Sequence, residues 1–238
     1  LLWSSMKVCN TNRLLYSQLE SLKSSDSSLG FVPTMGALHQ GHLSLISKAC
    51  KENDAIVVSI FVNPTQFNSS IDLEKYPQDL ERDLELINSL EYDKILVYAP
   101  DKKAVYQDSI SKTSFDFGGL EHQMEGKFRP GHFDGVGSVV QRFLEIIRPN
   151  KAYFGEKDYQ QLQIVKKLVE IIGISTDIIA CPIAREPNGL AMSSRNSRLS
   201  TKERSYASKI YEILKAVELK FETVALSEIK KWVHAQFD

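Results

Sequence analysis

Short apolar runs alternate with stretches of helical periodicity along most of the chain. "LGFVPT" (29–34) reads as a strand, and "HLSLISKACKEN" (42–53) sets Leu43, Ile46 and Ala49 on one helical face. "AIVVSIFVN" (55–63) is almost wholly apolar, the pattern of a strand covered on both faces of a parallel sheet. A helix over 78–90 and a strand over 94–100 follow, then a less regular stretch, 101–133, rich in glycine and charge. "DGVGSVVQRFLEII" (134–147) predicts a helix stopped at Pro149. After it come a strand over 151–155, a helix over 158–173 closed by glycine, and a strand over 176–183. This β–α alternation predicts an α/β fold, a Rossmann-like doubly wound parallel sheet.

Beyond Ile183 the texture changes. "AREPNGLAMSSRNSRLS" is polar and turn-rich, and Ser200 with Glu203 forms a capping box that opens a helix near 201–221. A further helix is expected over 227–237. The expected division is therefore 6–183 for the sheet domain and 184–238 for a second, smaller C-terminal domain.

Composition narrows the possible partners. With 29 basic and 30 acidic residues, the net charge of -1 lacks the basic excess of a nucleic-acid binder. The three cysteines form no CxxC pair, so neither a disulfide framework nor a zinc knuckle is expected, and a cytoplasmic setting is. No apolar run approaches the roughly 20 residues of a membrane span. Leu1 to Ser5 is too short and uncharged for a signal peptide, and Met6 reads as a native start.

In open α/β sheets, ligands bind beyond the carboxyl ends of the strands. Three unusual stretches fall there: "PTMGALHQGH", "NPTQF" and "GEKDYQQ". His39 and His42 sit at a helix start, where N–H groups and the helix dipole favour an anion. Gly36 and Gly41 allow close backbone approach. Surface or N-cap histidines would look the same, and a zinc site would need a third ligand such as His132 or Asp134. Lys157 can neutralise phosphate charge and Asp158 can accept from ribose hydroxyls, although such a pair also suits a solvated turn. "AMSSRN" (191–196) offers hydroxyls and a guanidinium to phosphate oxygens, or is a polar linker. Asn63, Gln66 and Gln161 suit a small polar substrate. His132 reads as a turn histidine, and Tyr153 and Phe154 as core.

Taken in order, "PTMGALHQGH", "VSIFVNPTQF", "YPQDLERD", "EGKFRPGHFDGV", "FGEKDYQQL" and "GLAMSSRN" closely resemble the pantothenate synthetase family, over about Gly30 to Leu199. "HQGH" is similar to the HxGH signature of the wider nucleotidylyltransferase superfamily. The resemblance implies an ATP-dependent ligase in which pantoate attacks the α-phosphorus to give pantoyl adenylate and pyrophosphate. β-Alanine then releases AMP and pantothenate. It implies magnesium with the nucleotide, a homodimer, and a C-terminal domain that closes over ATP.

Carried over by position, Met35, Gly36, Ala37, Leu38, His39, Gln40, Gly41 and His42 are the ATP loop. His42 falls where the family places a proton donor, but the attacking carboxylate has no proton to lose. Phosphate stabilisation by His42, His39 and Lys157 is therefore expected. Gly155, Glu156, Lys157 and Asp158 match ribose and phosphate contacts, and Met192, Ser193, Ser194 and Arg195 match the second phosphate loop. Ala184 falls where main chain reads adenine. Gln66 and Gln161 match the pantoate glutamines. Thr65 departs from a frequent methionine, and the chain ends before the family's closing segment. A cytidylyltransferase or another adenylate-forming member of the superfamily, a nucleotide sensor without chemistry, and a metal-dependent hydrolase built on His39, His42 and His132 are the rivals; "NPTQF" and "GEKDYQQ" speak against the first.

Overall fold

In the computed structural model the apolar runs become parallel strands of one sheet. The structure describes residues 6–22, 27–107 and 110–237; the expectations for Leu1 to Ser5 lie outside them. The strands are β1 (Lys7–Cys9), β2 (Leu29–Thr34), β3 (Ala55–Ile60), β4 (Ile95–Tyr98), β5 (Lys151–Gly155) and β6 (Asp177–Cys181). The helices are α1 (Asn12–Leu22), α2 (Gln40–Glu52), α3 (Ser70–Glu74), α4 (Leu80–Asn88), α5 (Lys102–Tyr106), α6 (Met124–Phe128), α7 (His132–Ile147), α8 (Tyr159–Ile172), α9 (Thr201–Ala207), α10 (Lys209–Lys220) and α11 (Leu226–Phe237). The chain falls into two compact units, Leu1–Pro182 and Ile183–Asp238.

The sheet of the first unit runs β1-β4-β3-β2-β5-β6, and every pairing in it is parallel. From β2 the chain moves outward through β3, then β4. It then returns to lay β5 on the other side of β2. The order therefore reverses between β2 and β5, and it is beyond the strand ends at such a reversal that open α/β sheets bind their ligands.

Alternate strand residues serve opposite faces. Phe31, Val57, Leu96, Ala152 and Phe154 join a core with α1, α7 and α8. Val32, Ile56, Val58, Ile95, Val97 and Tyr153 join a second core with α2 and α4. Both faces being covered explains why the strands read as continuous apolar runs. The predicted face of α2 is buried at Leu43, Ile46 and Ala49, and Tyr153 and Phe154 are core.

Several boundaries differ from the sequence expectation. β3 stops at Ile60 rather than Asn63, because Asn63 caps a 3-10 turn, Pro64–Gln66, opened by a proline that has no N–H to give a ladder. The helix expected over 201–221 divides at Ser208, whose hydroxyl donates to the Ser205 carbonyl at 2.7 Å. The irregular stretch holds α5 and α6, and α7 begins at His132.

The second unit, taken by itself, has an antiparallel bridge between Arg185 and Ala191, a 3-10 turn at Ser194–Arg198, and α9 to α11. The capping box at Ser200 and Glu203 is present.

Candidate active site

The loop after β2 is built to hold two imidazoles in one protonation state. His39 is the N-cap of α2 in an extended conformation, and its Nδ1 accepts from the Gly41 N–H at 3.1 Å. In return the His39 N–H donates to Nδ1 of His42 at 3.3 Å. A ring nitrogen that accepts carries no proton, so both neutral rings bear theirs on Nε2. The ring centroids lie 4.1 Å apart. Burial chiefly, then the repulsion a His42 cation would meet from Lys157 and from His39 whenever that ring is protonated, push the His42 pKa down to about 3. The pair thus consists of N–H donors at a helix N-terminus, with His42 uncharged at neutral pH.

The segment leading into this pair is strained and clamped. Gly36 has φ +77° and Ala37 has φ 50°, the left-handed region that costs a residue with a Cβ. The buried Asp83 of α4 holds the turn: its Oδ2 accepts from the Ala37 N–H at 2.9 Å and its Oδ1 from the Leu38 N–H at 2.7 Å. A Cβ on Gly36 would lie 2.9 Å from the same carboxylate. Burial raises the Asp83 pKa, and the two backbone donors oppose that shift. Asp83 received no role from the sequence. Its signal was available: a charged residue next to Leu84 and four positions from Ile87, on the buried face of its helix.

The loop after β3 carries Gln66, half-buried, whose Nε2 donates to Met35 Sδ at 2.8 Å. Asn63 stands behind Gln66 rather than beside it as a substrate group. It is 1% exposed, and its Nδ2 donates to Gln66 Oε1 and to the Gly135 carbonyl, each at 3.1 Å. The Gln66 carbonyl in turn accepts from Arg129 Nη2 at 2.9 Å and from His132 Nδ1 at 2.8 Å. His132 is thus no turn histidine. It opens α7, is buried, and has its pKa lowered chiefly by that burial. Of the two third ligands suggested for zinc, His132 bonds the Gln66 carbonyl and Asp134 Oδ1 accepts from the Phe115 N–H. Among the described residues no three His, Cys, Asp or Glu side chains form a metal-binding group.

Gly155 ends β5, and Glu156, Lys157 and Asp158 form an exposed 3-10 turn leading into α8. Lys157 Nζ donates to Asp158 Oδ1 at 2.9 Å. Gln161 is half-buried on the first turn of α8. Its neighbour Gln160 faces elsewhere, bonding the Leu120 and Gln123 carbonyls and the Glu125 N–H. The loops carrying Met35 to His42 and Gly155 to Asp158 follow the two strands that flank the sheet's reversal.

In the second unit the Ala184 carbonyl accepts from the Met192 N–H at 3.0 Å. Ser193 caps the turn, its hydroxyl accepting from the Arg195 N–H at 3.3 Å, while Ser194 opens it. Behind this turn Asn196 bonds Glu186 and the Ala191 carbonyl, and Arg204 grips Glu186 through two nitrogens. Neither Glu186 nor Asn196 stood out in the sequence.

Comparison with known proteins gives the family. The family profile for pantoate-beta-alanine ligase matches residues 7–238. The chain belongs to the pantoate-beta-alanine ligase family. A pantothenate synthetase of Christiangramia forsetii is 50% identical over 232 residues, covering 98% of this chain and 82% of that one. Another, of Flavobacterium psychrophilum, is 53% identical over 220 residues, covering 92% and 78%. A crystal structure of pantoate-beta-alanine ligase from Francisella tularensis, complexed with beta-gamma ATP and beta-alanine, superposes with a TM-score of 0.85 at 41% identity. It covers 97% of this chain and 86% of its own. The chain is an enzyme of that family, a ligase with the family's α/β fold.

Proposed function

We propose that the protein condenses pantoate with β-alanine using ATP, through a pantoyl adenylate. The observation that carries the proposal is the reciprocal bonding of His39 and His42 at the start of α2, which sets two Nε2–H donors beside the reversal of the sheet. Two such donors suit phosphate oxygens that gain charge in a transition state and do not suit proton abstraction. The relative from Francisella tularensis, complexed with beta-gamma ATP and beta-alanine, supports the choice of substrates.

In the first step a pantoate carboxylate oxygen bonds to the α-phosphorus. The bond from that phosphorus to the bridging oxygen breaks, and pyrophosphate leaves. No proton moves. His39 and His42 donate to phosphate oxygens, and Lys157 offsets charge on the departing group. In the second step the β-alanine nitrogen attacks the acyl carbon, the acyl–phosphate bond breaks, AMP leaves, and the amine gives up a proton. Gln66 and Gln161 hold the hydroxyls and carboxylate of pantoate. The proposal takes Asn63 as the group that orients Gln66, Gly155 to Asp158 as ribose and phosphate contacts, and Met192 to Arg195 as a second phosphate loop. Magnesium enters with the nucleotide as part of the substrate. A homodimer working in the cytoplasm completes the proposal.

The test is product analysis with each substrate omitted in turn. Pantothenate and AMP should appear in equal amounts only when ATP, pantoate and β-alanine are all present. Formation of ADP, or of AMP without pantoate, contradicts the proposal.

A further inference from the structure

Behind Gln66 lie two hydroxyls, that of the buried Tyr106 and that of the half-buried Thr65, which the reaction as derived does not use. Tyr106, the last residue of α5, is 3% exposed, and its hydroxyl donates to Asn63 Oδ1. Thr65 Oγ1 lies 3.0 Å from the same oxygen, 3.1 Å from Tyr106 Oη and 3.3 Å from the Gly135 carbonyl. The Thr65 N–H also points at Asn63 Oδ1, at 3.3 Å.

The orientation of the Asn63 amide follows from these partners. The Thr65 N–H can only donate and the Gly135 carbonyl can only accept, so Oδ1 faces the first and Nδ2 the second. The hydroxyls of Tyr106 and Thr65 add to the oxygen side. Each has a single proton: that of Tyr106 goes to Asn63, and that of Thr65 serves one of its neighbours at a time. The other Nδ2 proton goes to Gln66 Oε1. Gln66 therefore has its carbonyl oxygen held, one amide proton on Met35, and its second amide proton available as a donor.

We propose that Tyr106 and Thr65 are positioning residues: through Asn63 they fix Gln66 as an N–H donor to the pantoate oxygens. This rests on the proposed function, since it assumes that Gln66 meets pantoate. Neither hydroxyl touches a substrate. Their effect is to hold the plane of one buried amide. A buried network of this kind is effective only while each member is satisfied.

Tyr106→Phe and Thr65→Val each remove one hydroxyl with little change of shape. Each should raise the KM for pantoate about tenfold, the consequence of misplacing one hydrogen bond, with the KM for ATP unchanged. Thr65→Ser, which keeps the hydroxyl, should restore the wild-type pantoate KM. A second measurement needs no substrate. Exchange of the Asn63 side-chain amide protons, followed by NMR, should be faster in Tyr106→Phe. An unchanged pantoate KM, equal rises for pantoate and ATP, a fall in kcat alone, or unchanged Asn63 exchange would each overturn the proposal. If wild-type protein forms no AMP with pantoate, the proposed function itself has failed. If wild type is active and Tyr106→Phe behaves like it, only the positioning role has failed.

Discussion

The backbone N–H of His39 donates to Nδ1 of His42 at 3.3 Å, and that bond decides which nitrogen of His42 carries a proton. With Nδ1 accepting, the neutral ring donates from Nε2. Protonation would require Nδ1 to give up this bond, in a place where burial chiefly, and the Lys157 charge after it, already oppose a cation. An NMR titration should therefore show His42 as the neutral Nε2–H tautomer down to pH 5, with its midpoint near the expected value of about 3. The linkage has a definite sign. Unfolded His42 binds a proton near its ordinary 6.5 and folded His42 does so only near 3, so this residue destabilises the fold progressively as pH falls through that window. A midpoint near 6.5 in the folded protein would refute the geometry.

His42→Ala should leave the fold intact and lower the rate of adenylate formation by about 10²–10³, the usual effect of losing one preorganised donor. The ring caps a helix and is not part of either apolar core. Single-turnover kinetics with a circular dichroism spectrum check both halves. A folded variant within a few-fold of wild type would make His42 a bystander.

Asp83→Asn tests the clamp on the strained turn. An asparagine has one oxygen where the carboxylate has two, so its NH2 would confront the Ala37 or Leu38 N–H. The expected loss of stability is about 1–3 kcal/mol, read by denaturant unfolding. Weaker ATP binding should accompany it, because the turn leads directly into His39. Unaltered stability would show that the turn holds itself.

Gly135→Ala asks how closely α7 must approach the loop of Gln66. An added Cβ would lie 2.3 Å from the Thr65 carbonyl oxygen and 2.9 Å from the Gln66 nitrogen, both main chain. Overpacking of this sort costs about 1–3 kcal/mol, and Gln66 should shift with it. Calorimetry and pantoate kinetics should show a lower melting temperature and a higher pantoate KM. Normal values for both would mean that the loop gives way without consequence.

How much of this was legible in the sequence depended on the kind of signal. β2, β3 and β5 were visible because both faces of the sheet are covered, so their residues are apolar whichever way they point. β1 and α1 were not: β1 is three residues long at the sheet edge, too short for any period to register. The places of the histidine pair, Gln66 and Lys157 after β2, β3 and β5 were legible from the apolar runs that precede them, while the roles expected of them came from the family resemblance. Tyr106 was not, because it acts on Asn63, 43 residues away, and Asp83 showed only as a charge on the buried face of its helix, with its partners out of sight. Asp83 meets its partners across 46 and 45 residues. Asn63 was picked out as polar and useful, but its burial and its service to Gln66 follow from Gly135 and Tyr106, which only the fold brings to it.

The central claim is that the phosphate-binding loops of the sheet domain assemble an acyl adenylate before any amine takes part. Exchange of labelled pyrophosphate into ATP measures that step alone. With magnesium, ATP and pantoate present and β-alanine absent, purified protein should catalyse the exchange, and omission of pantoate should abolish it. Adding β-alanine should divert the intermediate to AMP and pantothenate. Exchange that requires β-alanine from the outset would contradict the two-step account even if pantothenate were formed, and no exchange under any condition would contradict the assignment of His39, His42 and Lys157 to adenylation.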